Sequence, residues 1–334
     1  MTPPKKPASH DRLLEIHFNE SDPLLALAGA GGDHLRLIEK ALNIEISQVG
    51  NILNILGTGR STKLAQETID ILRERLENDM EITKPDIEAA IRIAAADGDE
   101  TSKERAKAMF SDRSSKGKIV TKRKHITPRS PKQGDYLSTI DKYALSFGVG
   151  PAGTGKTYLA VAKGVEYLLN GDVERLIVTR PAVEAGEELG FLPGDMQEKI
   201  DPYLRPVYDA LYDMFPQEQV IRMMAQGQIE VAPLAFMRGR TLSNAFIVLD
   251  EAQNTTSIQM KMFLTRLGEN GKMVICGDMT QTDLPERATS GLMEAVSLLR
   301  DDEAVGLTEF TVEDVVRHPL VARIISAYER RNRS

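Results

Sequence analysis

The chain has 334 residues, 41% apolar and 27% charged, which suffices for two domains with real cores and excludes an intrinsically disordered chain. A net charge of −7 excludes a protein coated in nucleic acid, though it leaves room for a local basic patch. The one cysteine, Cys276, excludes an internal disulfide and fits a reducing cytosol; inside the apolar run 273–276 it reads as a small core residue. No apolar segment reaches membrane-spanning length, and M-T-P-P-K-K-P-A-S-H has no apolar stretch behind its lysines. Residues 1–12 therefore read as a disordered tail on a cytoplasmic protein without a membrane partner.

In chain order, Leu13–Phe18 predicts a short strand. Asp33–Leu42 carries apolar side chains at Leu35, Leu37, Ile38, Ala41 and Leu42, the spacing of a helix. Ile44–Ile46 and Ile52–Leu56 alternate and flank Gly50-Asn51, a hairpin signal. Helices follow over 62–76 and from Lys84 or Pro85 to about Ala95, the second with proline in its first turn. Residues 13–100 thus form a small α+β unit. Residues 101–130 are polar, and K-G-K-I-V-T-K-R-K-H-I-T-P-R-S-P-K (116–132) is basic with two prolines. That stretch reads as a linker or short extended arm, either a solvated loop or a polyanion contact. From 131 to 334 strand and helix alternate, with strands over 144–149, 176–179, 229–233, 245–249, 273–276 and 305–307. This order predicts an α/β domain built on a mainly parallel, three-layer sheet.

The chemistry sits at strand ends. After Val149 comes Gly150, Pro151, Ala152, Gly153, Thr154, Gly155, Lys156 and Thr157, which is G-x-x-x-x-G-K-T between a strand and a helix. Glycines let backbone N–H groups close around phosphate oxygens, and the helix N-terminus adds a favourable field. Lys156 would reach the β- and γ-phosphates of ATP, and the Thr157 hydroxyl would ligate Mg²⁺. F-I-V-L-D-E-A-Q (246–253) delivers two carboxylates from a buried strand. Asp250 is placed to hold Mg²⁺ and Glu251 to deprotonate the attacking water. Adjacent like charges at a buried edge repel unless a cation sits between them, which also argues for the metal. Gln281, in G-D-M-T-Q (277–281), is placed to bond the γ-phosphate or the water. Gln133 carries both a donor and an acceptor suited to adenine, or else is an exposed loop residue.

D-E-A-Q, G-D-M-T-Q and a glutamine before the first strand resemble the motifs of superfamily one helicases. The match to the bacterial PhoH-like family is closer. It is carried by the phosphate loop, T-R-P-A-V-E-A-G-E-E-L-G-F-L-P-G-D (179–195), L-D-E-A-Q-N-T-T, T-R-L-G (265–268), G-D-M-T-Q-T-D-L-P and V-R-H-P-L-V (316–321). That resemblance implies a RecA-like P-loop ATPase domain over 131–334 in a cytoplasmic protein of RNA metabolism. It also implies partnership with the endoribonuclease YbeY in ribosomal RNA processing, and ring-shaped oligomers. The first domain resembles a KH-type RNA-binding fold, with G-A-G-G at 29–32 as its G-x-x-G loop. Its middle positions, Ala30 and Gly31, lack the basic residue common in working loops, so both RNA binding and a packing role stay open.

Helicases hydrolyse ATP between two lobes, the second supplying an arginine finger. This chain has room for one, so a head-to-tail homo-oligomeric ring, a hexamer, is expected, with Arg317 or Arg266 as the finger; both arginines also suit structural salt bridges. Arg180 and Gly190–Gly194 lie where helicases hold single-stranded nucleic acid, although Glu184, Glu187 and Glu188 are awkward for phosphate contact. Two functions follow from these residues: an RNA-stimulated ATPase or helicase-like remodeller, and a nucleotide-gated RNA or nuclease adaptor that turns over slowly.

Overall fold

Residues 11–111 contain β1 (Asp11–His17), α1 (Ser21–Ala28), α2 (Asp33–Leu42), β2 (Glu45–Val49), β3 (Ile52–Thr58), α3 (Gly59–Glu77), α4 (Lys84–Ala95) and α5 (Glu100–Ser111). The structure, a computed structural model, describes residues 11–19, 21–78, 80–96, 100–111, 119–121, 125–181, 196–285 and 289–315. It divides into two units, residues up to 118 with 127–134, and 119–126 with 135 onward.

In the first unit the strands pair antiparallel in the order β1-β3-β2. The period of two along β3 turns Leu53 and Ile55 into the core, where Ile69 and Leu72 of α3 and Ile87, Ala90 and Ile93 of α4 meet them. A buried guanidinium ties the helices together. Arg75 pairs with Asp86 at 3.2 Å and donates to the Phe110 carbonyl at 2.8 Å and the Glu81 carbonyl at 3.0 Å. Between α1 and α2, Gly29, Gly31 and Gly32 all have positive φ, which the turn requires. Arg36, one turn into α2, reaches back to the Gly31 carbonyl at 2.6 Å and to Asp33 at 2.9 Å.

The second unit begins with an antiparallel ribbon, β4 (Ile119–Val120) and β5 (His125–Ile126), whose Ile119 and Ile126 enter its core. Next comes α6 (Pro131–Lys142). Then β6 (Leu145–Val149), β7 (Arg175–Arg180), β8 (Ile229–Pro233), β9 (Ala245–Leu249), β10 (Lys272–Gly277) and β11 (Val305–Glu309) form one sheet in the order β11-β6-β10-β9-β7-β8. Every neighbouring pair is parallel. Side chains from α6, α7 (Lys156–Asn170), α8 (Met196–Met214) and α9 (Gln217–Ala225) cover one face; α10 (Ser257–Leu264) and α11 (Gly291–Leu299) cover the other. All five residues of β9 are buried, as a strand sandwiched between helix layers must be. This is the architecture of a RecA-like P-loop core.

Close packing is visible at Gly164 on α7, where a Cβ would come within 2.5 Å of Leu176 and 2.8 Å of Phe246. Beneath the sheet edge, Tyr136 and Cys276 are fully buried with Oη and Sγ 3.2 Å apart, and burial pushes the thiol pKa up to about 12. Among the described residues no helix is long and apolar enough to cross a membrane.

Three helices lie where the sequence pattern predicts none. The eight-residue α1 buries Leu24, Leu27 and Ala28, but its short apolar run carries no clear period. The polar α5 buries Ala106, Phe110 and Ser111 among the side chains described. In α6 the opening proline reads as a loop signal, although the first turn of a helix tolerates it.

Phe246 packs into the larger core and lies 5.3 Å, ring to ring, from Tyr167. Phe246→Ala is expected to cost about 3–5 kcal/mol, to be read as a fall in the urea midpoint.

Candidate functional site

The cleft is assembled at the C-terminal ends of β6, β9 and β10. β6 stops at Val149, and Gly150 follows at φ +140, where a Cβ would meet the Phe310 carbonyl. Gly153 (φ +88) and Gly155 (φ +83) then turn the chain into α7 through left-handed conformations that favour glycine. Such a loop at a helix N-terminus makes a concave anion-binding backbone. Lys156 is 7% exposed, and its ammonium donates to the carbonyls of Gly150 (2.7 Å) and Pro151 (2.8 Å) and to Thr154 Oγ1 (3.3 Å). Burial lowers its pKa, while Asp278, Asp250 and Glu251 pull the other way. The Thr154 hydroxyl in turn donates to the Pro151 carbonyl at 3.1 Å.

Asp250 follows β9 directly and is 6% exposed. Its Oδ1 accepts from the Thr157 hydroxyl at 2.6 Å, and its N–H donates to the Thr179 carbonyl at 2.9 Å. Burial raises its pKa; the Thr157 bond opposes the rise. Glu251 takes φ +51, a conformation uncommon for a residue with a Cβ. One of its oxygens lies 3.1 Å from Arg180 Nη2, and the other accepts from Gln253 Nε2 at 2.5 Å. Gln253 Oε1 accepts from the Asp278 N–H at 3.0 Å, so one buried amide bridges the ends of β9 and β10. Asp278 Oδ1 takes the N–H and hydroxyl of Thr280 at 2.9 and 2.7 Å, and its buried Oδ2 has no hydrogen-bond partner among the described residues.

These groups line a cleft of about 310 Å³. Ala152, Gly153, Gly155, Lys156, Thr157 and Tyr158 form one side; Asp250, Glu251, Gly277, Asp278 and Gln281 form the other. The structure thus brings together the phosphate loop, both carboxylates and Gln281, whose N–H donates to the Asp278 carbonyl at 3.2 Å. Arg266 does not line the cleft; its guanidinium donates to the carbonyls of Met262 (3.0 Å) and Arg240 (3.1 Å). Gln133 is buried in the first turn of α6, its amide oxygen accepting the Arg129 N–H at 2.6 Å. Arg317, Glu184, Glu187, Glu188 and the segment 190–194 lie outside the described residues. In the sequence Arg180 reads as a nucleic-acid contact but not as a partner of Glu251, and Gln253, Tyr158 and Asp278 have no assigned role. For Asp278 the signal was there, a carboxylate at the end of an apolar strand.

Comparison with known proteins identifies the family. The profile of the family described as PhoH-like protein matches residues 125–329. A PhoH-like protein of Bacillus subtilis is 46% identical over 323 residues, which is 97% of this chain and 99% of the relative. The chain belongs to the PhoH-like family. A PhoH-like protein of Mycobacterium tuberculosis is 47% identical over 310 residues, 92% of this chain and 86% of the relative. Protein PhoH of Escherichia coli is 49% identical over 205 residues, 61% of this chain and 58% of that protein. PhoH-like proteins are P-loop, ATPase-like proteins, a family whose members point to nucleotide binding in general.

The oxygen donors Thr157 and Asp250 could hold a Mg²⁺ ion, a hard cation that suits them. Among the described residues no three His, Cys, Asp or Glu side chains cluster as a metal cage. A metal at this pair would complete its shell from nucleotide and water, as Mg²⁺ commonly does.

With the Asp250 pKa raised on folding, the folded chain holds that proton to higher pH than the unfolded chain does. Stability from this group therefore falls as pH rises from the ordinary carboxylate value through the raised one. Asp250→Asn, which keeps an acceptor for Thr157, is expected to raise the urea midpoint at neutral pH in metal-free buffer. The gain should vanish in acid, where the wild-type carboxyl is protonated.

Proposed function

We propose that this PhoH-like protein is a Mg²⁺-dependent ATPase that acts on RNA. The observation that carries the reading is the 2.6 Å contact between the Thr157 hydroxyl and the Asp250 carboxylate, in a cleft shared with Lys156 and Glu251. Bound Mg²⁺ supplies neutralisation of charge on the phosphate oxygens. The chain's own residues supply the rest. The loop backbone from Gly150 to Thr157 holds the phosphates, and Lys156 sets a partly desolvated cation beside them. Asp250 and Thr157 hold the metal. Glu251 accepts the proton of the attacking water, and Gln281 orients that water or the terminal phosphate.

The RNA half of the proposal is supported by the first unit, whose β-α-α-β-β-α order sets Gly29–Gly32 between α1 and α2. Arg36 brings a guanidinium to that loop through the Gly31 carbonyl, where residues 30 and 31 have none, although Asp33 pairs with it at 2.9 Å. A homo-oligomeric hexameric ring is supported by the one RecA-like sheet among the described residues, where a helicase has two such lobes around its nucleotide. Another copy would then bring Arg317 or Arg266 as the finger, a contribution of about 10³–10⁵ in rate. A cytoplasmic role in ribosomal RNA processing with a YbeY-type endoribonuclease rests on the family resemblance.

A second reading, a nucleotide-gated adaptor with slow turnover, is favoured by one observation: Arg180 and Gln253 occupy both oxygens of Glu251. Steady-state ATP hydrolysis with Mg²⁺, with and without single-stranded RNA, separates the two. For the ATPase, Glu251→Gln is expected to lower kcat by about 10²–10⁴ while ATP binding persists. Equal rates for wild type and variant would overturn it, and slow hydrolysis indifferent to RNA would favour the adaptor.

A further inference from the structure

Arg180 is the last residue of β7, and the sheet order sets β7 directly beside β9. The guanidinium therefore emerges next to the two carboxylates that follow β9. Its Nη2 lies 3.1 Å from Glu251, and its charge is also felt at Asp250. Gln253 holds the second Glu251 oxygen, and the left-handed backbone at Glu251 keeps the carboxylate where both partners reach it. Each partner takes one lone pair of its oxygen and fixes the direction in which the carboxylate faces, which restricts its turning toward an attacking water.

This engagement is reversible by construction. The Arg180 and Glu251 side chains are 22% and 35% exposed, and an ion pair open to solvent is weak and easily exchanged. A phosphodiester is a strong rival for a guanidinium, because it offers two parallel charge-assisted hydrogen bonds. Arg180 also sits at the C-terminal edge of a parallel sheet, the edge on which such sheets bind their ligands.

We infer that Arg180 is a positioning residue that holds Glu251 engaged until a phosphate of single-stranded RNA takes over the guanidinium and frees the carboxylate for the attacking water. The inference rests on Glu251 being the base in the ATPase reading. It has a quantitative corollary: a ligand shifts an equilibrium only by its differential affinity, so RNA cannot stimulate through this route by more than removal of the clamp does.

The test is ATP hydrolysis by the full chain carrying Arg180→Ala, Arg180→Lys or Glu251→Gln, with and without a uridine-rich single-stranded RNA oligonucleotide. Arg180→Ala is expected to raise the RNA-free kcat about fivefold, the upper factor for loss of a partly exposed ion pair. That rate should match the plateau of RNA-saturated wild type, and RNA should add nothing further. Arg180→Lys keeps the charge and is expected to keep the RNA response. A purely structural role would lower the rate of the alanine variant instead. An alanine variant no faster than wild type, or one still stimulated by RNA, overturns the inference, as does a wild type that RNA leaves unchanged. Should the alanine variant melt early, Arg180→Gln repeats the test with a side chain closer in shape. Glu251→Gln separates the two levels: if it hydrolyses as fast as wild type, the base assignment has failed. If it is inactive while Arg180→Ala behaves as wild type, only the clamp has failed.

Discussion

Strand direction is the constraint on which the second unit depends. Six parallel strands need a crossover for every connection, and those crossovers build the two helical layers that bury the sheet. The same directionality gathers every strand-to-helix loop on one edge. The phosphate loop, Asp250, Glu251 and Asp278 meet there because they follow three strands that all end on that side. β10 lies between β6 and β9, so the loop and the carboxylates face each other across one strand's width, and the residues after that strand become the floor of the cleft.

Gathering charge at a buried edge has an energetic cost, and the local bonding shows how it is met. Lys156 is satisfied by loop carbonyls, Asp250 by the Thr157 hydroxyl, and Glu251 by Arg180 and Gln253. Under the proposed ATPase reading, a polyphosphate or a cation would replace these partners, so the groups that stabilise the site would also be those that exchange during binding. Gln253 differs in kind. Its amide joins the ends of two strands, and a shift at Asp278 can reach Glu251 through a single side chain.

How much of this was legible follows from how local each signal is. The phosphate loop is written in consecutive residues whose backbone conformations need glycine, so spacing alone finds it. The two carboxylates follow an apolar run long enough to read as a buried strand. The Arg180–Glu251 pair was not legible, because residues 71 positions apart meet only through sheet order. Arg36 shows the same limit at shorter range. The G-A-G-G loop contains no cation, and the one it acquires comes from a helix face that the turn folds back onto it. The helices α1, α5 and α6 escaped because their packing, rather than their periodicity, holds them.

The Tyr136–Cys276 contact gives the molecule an unplanned property. The chain has one thiol, it lies on the strand that floors the nucleotide cleft, and burial keeps it protonated. An alkylating reagent can reach it only when β10 comes away from the helices above it. Its rate of modification therefore measures how often the centre of the sheet opens, a built-in gauge of how firmly the core is held shut.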